Sequence, residues 1–327
     1  MSEDRVQKRL AEIPAAPATD VVAYRVDIDG LRAMAVLSII AFHYGFLPNG
    51  FLGVDVFFVI SGYLITGIIY GDFVNGHFSL ASFYLRRTRR IIPITIFIYL
   101  VSLLFGILTM LSDDLENLAQ SVIATNLFGN NILQAMTTKN YWDIVNEYNP
   151  LMHTWSLSIE EQDYVLYPLL FIILRNKLKK FLLPLLMVLT FGSLTLLFSS
   201  YEDYQKFYFL PFRFFELATG GLAAIYFRGR LISHRMSFVF ILALIVFLLF
   251  PMRPASPELM LVAVVGLTLG VLMSDNSRVK IASSILEYPI VVAIGKISFS
   301  LYMWHQVTLA FTRYFWVRSC RQNTSYF

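Results

Sequence analysis

Cys320 is the single cysteine of the 327 residues, so neither an intrachain disulfide nor a cysteine-rich metal site can be built, and no metal centre is expected. Charge is scarce as well: Asp, Glu, Lys and Arg make up 15% of the chain against 57% hydrophobic residues. Nothing resembles a phosphate-cradling glycine loop, a zinc helix or a strand–turn–helix serine elbow, which excludes the familiar soluble catalytic templates. Nor is there an internal repeat of the inverted kind used by many transporters. What the chain has is apolar blocks of about 17 to 22 residues parted by short polar segments, the pattern of a polytopic membrane protein.

The blocks predict an all-α membrane bundle of about nine spans, near 31–47, 51–71, 91–111, 153–174, 181–199, 207–227, 236–251, 257–274 and 297–317, with a shorter re-entrant or interfacial helix at 284–294. Arg5, Lys8, Arg9 and Arg25 precede the first span, and Arg86, Arg87, Arg89 and Arg90 follow the second. Arg175, Lys177, Lys179 and Lys180 follow the fourth; Arg228, Arg230 and Arg235 the sixth; Arg278 and Lys280 the eighth. The opposite loops hold only Lys139, Lys206 and Arg253, so the N-terminus is expected in the cytoplasm. The net charge of +4 thus reports topology, and nucleic acid is not an expected partner. Residues 1–28 contain no apolar core and no cleavage site, so the first span is expected to do the targeting. Residues 29–318 are expected to form one bundle lacking a final helix, and 319–327 a tail. The outer segment 112–152, acidic at Asp113, Asp114, Glu116, Asp143 and Glu147 and helical around Leu115–Phe128, is either a lid or acceptor platform or a solvated loop.

Within the first span, Arg32 and His43 stand eleven residues apart. Eleven steps of about 100° return a side chain to within roughly 20° of its starting direction, about 16 Å further along the axis. Two ionisable groups on one face of a membrane helix imply a polar track or a watery cavity. The bland readings are that Arg32 snorkels to the interface and that His43 is an ordinary core histidine. Asp29 is placed to cap this helix. The four guanidinium groups of Arg86, Arg87, Arg89 and Arg90 need an anion, either phosphate oxygens or lipid head groups.

His153, Ser156, Glu160 and Tyr164 recur at helical spacing, with Trp155 and Glu161 beside them, so the fourth span lines a cavity or pairs with neighbouring helices. Arg213 and Glu216 either neutralise each other at i,i+3 or join that cavity, and the last span adds Tyr302, Trp304 and His305. His77 and His234 fall in cytoplasmic loops and carry no claim. Counting about 1.5 Å per residue puts His43, Asp55, Glu160 and Arg213 in the outer half. This predicts one cluster, with Glu160 or Glu161 paired to Arg213 and Asp55 near His43.

Several of these segments together resemble the bacterial membrane acyltransferase family 3. They are Tyr24–Arg32 followed by Phe42-His43, Gly53–Leu64, Arg86–Pro93, His153–Gln162, Arg213–Leu217 and Gly295–His305, in order from about residue 24 to residue 310. The resemblance implies a multi-pass enzyme of the bacterial inner membrane. Such enzymes move an acyl group, usually acetyl, from cytoplasmic acetyl-CoA or another acyl-CoA to a hydroxyl of a surface or secreted glycan or lipid-linked saccharide, with no resident cofactor. Acceptors across the family include lipopolysaccharide, exopolysaccharide, peptidoglycan, lipooligosaccharide signals and macrolides. The resemblance maps the arginine–histidine motif onto Arg32 and His43, and the donor's phosphates onto Arg86, Arg87, Arg89 and Arg90. His43 is then the expected general base, with Asp55, Glu160 and Glu161 in the catalytic group and a covalent acyl-histidine as a variant. His153, Trp155, Ser156, Arg213, Glu216, Tyr302 and His305 are expected to line the substrate cavity. A flippase for a glycan intermediate, or a non-catalytic scaffold of a polysaccharide assembly complex, would carry a similar polar track.

Overall fold

A computed structural model describes residues 24–137, 148–174, 178–226, 234–250, 256–274 and 285–324. Much of the charge asymmetry that fixes orientation lies outside these residues: Arg5, Lys8, Arg9, Lys139, Arg175, Lys177, Arg228, Arg230, Arg253, Arg278 and Lys280. So do Asp143 and Glu147 of the outer segment.

Every element among the described residues is helical. In chain order they are α1 (Val26–His43), a 3-10 turn (Gly50–Leu52), α2 (Gly53–Val74), α3 (Leu80–Thr109), α4 (Ser112–Asn126), α5 (Asn130–Thr137) and α6 (Thr154–Ile173). There follow α7 (Leu178–Leu197), α8 (Asp203–Tyr208), α9 (Leu210–Tyr226), α10 (His234–Leu249), α11 (Pro257–Leu272), α12 (Pro289–Lys296) and α13 (Ser298–Thr324).

The elements follow the apolar blocks, with differences that have local causes. α1 begins at Val26, so Asp29 lies inside its first turns and Arg25 takes the cap position without a side-chain cap bond. Asp29 instead accepts a hydrogen bond from the Tyr24 hydroxyl and faces Arg32 at 3.8 Å, which corrects its expected capping role. The helix stops at His43, short of the predicted end, because Gly45 takes a left-handed φ of 79° and the Phe46 amide closes on the Ala41 carbonyl at 2.9 Å. His43 therefore sits at a helix mouth. The block 207–227 breaks at Phe209 into α8 and α9, and the predicted short helix appears as α12, bent 69° from α13.

Among the described residues, two helical stretches are long and apolar enough to cross a membrane alone, 50–74 and 80–109, and a third if α12 and the bent α13 count as one. Residues 181–197, 236–249 and 257–272 are apolar but shorter. α1 carries Asp27, Asp29 and Arg32, and α6 carries Glu160, Glu161 and Asp163, charges that no lipid-facing helix holds easily. Both helices turn these residues inward, so the bundle of this membrane protein is held around polar interior positions as well as apolar ones.

One apolar cluster joins α1, α2, α9, α10 and α11, and a second joins α1, α2, α3, α6, α7 and α13. α2 belongs to both. Its closest neighbour is α9, where backbones approach so nearly that a Cβ on Gly62 would fall 1.9 Å from the Leu217 carbonyl oxygen and one on Gly220 2.1 Å from that of Val59. Small residues permit such crossings in membranes. Gly62→Leu or Gly220→Leu should therefore lower the unfolding midpoint in mild detergent and reduce the folded yield. Gly266→Ala, which meets nothing within 4 Å inside α11, should not lower the midpoint and should raise it slightly by helix propensity.

Candidate active site

The α2–α9 crossing brings Asp55 and Arg213 level, two and three residues from the starts of their helices. The Arg213 guanidinium donates to Asp55 at 2.7 Å and to Glu216 at 2.9 Å, while its Nε donates to the Phe207 carbonyl at 3.1 Å. It lies over the rings of Phe207 at 5.1 Å and Trp155 at 5.8 Å. All three charged side chains are sealed from solvent, at 4% exposure or less. The Arg213–Glu216 neutralisation thus holds, with Asp55 as a further partner.

The expected pairing of Arg213 with Glu160 or Glu161 does not form. Because the chain breaks at Phe209, Arg213 lies only about 4.5 Å into α9, whereas Glu160 lies about 9 Å into α6, a helical turn deeper. Glu160 accepts instead from the hydroxyls of Ser61 and Tyr164. Glu161 lines neither of the two cavities described below.

One cavity is lined by Arg32, Arg87, Arg90, Ser61, Ser156, Glu160 and Tyr302, with Phe57, Phe58, Leu64 and Ile65 as its apolar wall. It leaves about 670 Å³ of empty space, mouth included. Arg87 stacks over Tyr164 at 5.6 Å and Phe83 at 5.8 Å. Of the four arginines, Arg87 and the exposed Arg90 line the cavity, while Arg86 and Arg89, also exposed, do not, and Arg86 bonds Asp72 at 3.2 Å. Around the helix Arg86 falls about 40° from Arg90 and about 100° from Arg87, and Arg89 about 160° from Arg87. Arg32 is part of this cavity rather than snorkelling alone.

A second cavity, of about 360 Å³, is lined by His43, Asp55, Trp155, Phe207 and Arg213, and shares Val54 and Tyr302 with the first. Asp55 and His43 thus meet in one cavity, as expected. Beside them stand three histidines in a row: His43 to His305 at 5.1 Å between ring centroids, and His305 to His153 at 5.2 Å. The Tyr302 hydroxyl donates to the His153 carbonyl at 2.9 Å and shares a 2.7 Å hydrogen bond with Ser156. His305 Nδ1 donates to the Tyr302 carbonyl, which leaves Nε2 as the basic nitrogen. Among the described residues, His305 Nε2 and both ring nitrogens of His153 lack hydrogen-bond partners. No three of His, Cys, Asp and Glu among the described residues converge to hold a metal ion.

Sequence reasoning missed Ser61, the hydrogen-bond partner of Glu160, and Phe207, the ring under Arg213. A signal existed for the first: Val54, Phe57, Phe58, Ser61, Leu64 and Ile65 recur at helical spacing on α2 and all line the first cavity. Phe207 lies in the separate helix α8, which no periodicity links to Arg213.

The described residues thus form an all-helical bundle in which an arginine-lined cavity meets the cavity of His43. The chain belongs to the acyltransferase 3 domain family, which it matches over residues 25–325. It is 30% identical over 313 residues to the peptidoglycan O-acetyltransferase OatA of Listeria monocytogenes, covering 88% of this chain and 50% of that protein. A Staphylococcus aureus protein provisionally named an O-acetyltransferase is 31% identical over 320 residues, covering 90% and 52%. A Bacillus subtilis protein provisionally named a peptidoglycan O-acetyltransferase is 32% identical over 225 residues, covering 65% and 35%. The chain thus spans about half the length, or less, of these curated relatives. No solved structure matches it significantly.

Removing one partner of a buried ion cluster strands the others. Arg213→Met should lower stability by about 3–5 kcal/mol, read as the free energy of unfolding in mild detergent. The double change Arg213→Met with Asp55→Leu should recover part of that loss.

Proposed function

We propose that this protein transfers an acyl group, in the first instance acetyl, from cytoplasmic acyl-CoA to a hydroxyl of a cell-surface glycan, as a multi-pass protein of about nine spans in the bacterial inner membrane with its N-terminus in the cytoplasm. One observation carries the reading: the arginine cavity and the histidine cavity meet at Tyr302 and Val54. Guanidinium forks at Arg32, Arg87 and Arg90 suit the donor's phosphates, and the apolar wall of Phe57, Leu64 and Ile65 suits its pantetheine arm. The thioester then reaches the Tyr302 boundary, with His43 beyond it.

His43 takes the proton of the acceptor hydroxyl as that oxygen attacks the thioester carbonyl carbon. The tetrahedral adduct collapses, the carbon–sulfur bond breaks, and the leaving thiolate regains the proton from the His43 imidazolium. Base assistance of this kind is worth about 10²–10⁴-fold. Asp55 and Arg213 share the cavity with His43 and hold its walls, while Ser156 and Tyr302 form the partition. The peptidoglycan named for the Listeria relative is the acceptor class to test first.

The test is release of free coenzyme A from acetyl-CoA by the full chain in membranes bearing the host glycan. His43→Ala should lower the rate by about 10²-fold or more at unchanged abundance. A glycan transporter would act without thioester and release no coenzyme A. Arg87→Gln with Arg90→Gln should raise the donor KM about tenfold or more, whereas Arg86→Gln with Arg89→Gln should leave it unchanged. Rising salt should weaken donor binding by the wild type in parallel.

A further inference from the structure

A third opening lies apart from the paired cavities, between α4, α5, the stretch before α6 and the far part of α13. It leaves about 600 Å³ of empty space, mouth included, and Leu133 is the one aliphatic residue lining it. Side-chain amides of Asn117, Gln120, Gln134 and Asn149 face it beside the Asp114 carboxylate, and no Lys or Arg is among the described lining residues. At one wall the rings of Tyr148 and Tyr314 meet edge to face at 5.4 Å.

A solvated loop would not be built this way. Ser121, Asn130, Asn131 and Gln134 are each 1% exposed or less. The Asn149 amide donates to Ser121 at 3.1 Å, the Asn130 amide to Thr154 at 2.7 Å and the Asn131 amide to the Tyr208 carbonyl at 2.9 Å. These bonds pin α4 and α5 to α6 and α8 and fix the opening in shape. It also backs onto the histidines: the Gln306 amide donates to the Asn149 carbonyl at 3.3 Å, with His305 next to Gln306 and His153 one turn after Asn149.

Amides both donate and accept, a carboxylate accepts from paired hydroxyls, and a tyrosine face receives the C–H face of a ring. With Asp114 present and no cation among the described lining residues, this lining disfavours phosphates and uronates. We infer that this opening is a saccharide subsite that holds a neutral sugar ring of the acceptor beside the histidine end of the bundle. Only the word acceptor rests on the acyl-transfer reading; the sugar site stands on its own lining.

Two neutral probes, tetra-N-acetylglucosamine and maltotetraose, are titrated against the full chain in mild detergent, with His43→Ala and the surface pair Asn117→Ala with Gln120→Ala alongside. At least one probe should bind saturably to the wild type and equally to His43→Ala, and about tenfold or more weakly to the double variant. Tetragalacturonate, of similar size but anionic, should bind more weakly than the neutral probe. In turnover, the double variant should raise the acceptor KM by a similar factor and leave kcat and the donor KM alone. No binding of either neutral probe, equal binding by wild type and double variant, or tighter binding of the anionic probe overturns the subsite. Sugar binding as expected without coenzyme A release would sink acyl transfer and leave the subsite. Coenzyme A release with an acceptor KM untouched by the double variant would do the reverse.

Discussion

One guanidinium shared by two carboxylates, with all three sealed from solvent, is the contact on which the histidine end of the bundle depends. Arg213 reaches Asp55 on α2 and Glu216 on its own helix, and its Nε holds the Phe207 carbonyl of α8. Buried charge of this kind gives little net stability over an apolar packing, but it tolerates one register only. A slip of α9 against α2 by a single turn, about 5.4 Å, would part Arg213 from Asp55 and leave that carboxylate buried without its cation, while Arg213 and Glu216, on one helix, would stay paired. The glycine contacts at Gly62 and Gly220 set the distance between the two helices, and the ion cluster sets their register. Together they place Trp155 and Phe207 as walls of the cavity that holds His43.

The remaining polar residues go to different destinations. Arg87 and Arg90 line the first cavity, whereas the equally charged Arg86 and Arg89 do not. Ser156 and Glu160 sit on one stripe of α6, so that helix serves the partition at its start and the arginine cavity one turn later. Tyr302 is the residue common to both ends. Its hydroxyl ties α13 to α6 through His153 and Ser156, and its ring lines both cavities.

Much of this was legible before any coordinates. The eleven-residue spacing of Arg32 and His43 put both on an inner face, and the stripe on α6 announced a cavity. What could not be read was depth across helices. The break at Phe209 shifts Arg213 toward the end of the bundle where α2 begins, so Asp55 rather than Glu160 or Glu161 becomes its partner, and no periodicity within 207–227 marks that break. α1 starts earlier than the apolar pattern predicts for a related reason: Arg25 folds back on Asp27 at 2.5 Å and donates to the Leu272 carbonyl of α11 at 2.7 Å, a long-range contact that anchors the helix start ahead of Asp29. The sequence of the outer segment fits a platform or a loop equally, because its acidic surface is visible there, while the burial of its amides against α6 and α8 is a tertiary fact.

The histidine row shows where such a frame is under load. Each buried nitrogen without a partner costs about 1–3 kcal/mol, and among the described residues three such nitrogens lie on His153 and His305. A core selected for stability alone would replace them with apolar residues of similar volume. They persist beside a tyrosine bonded twice and an arginine bonded three times, each positioned by helix crossings that leave no room to relax. Local rules broken next to contacts that are strongly over-determined are where a functional site is sought. Here both histidines pack against Tyr302, the residue that lines both cavities.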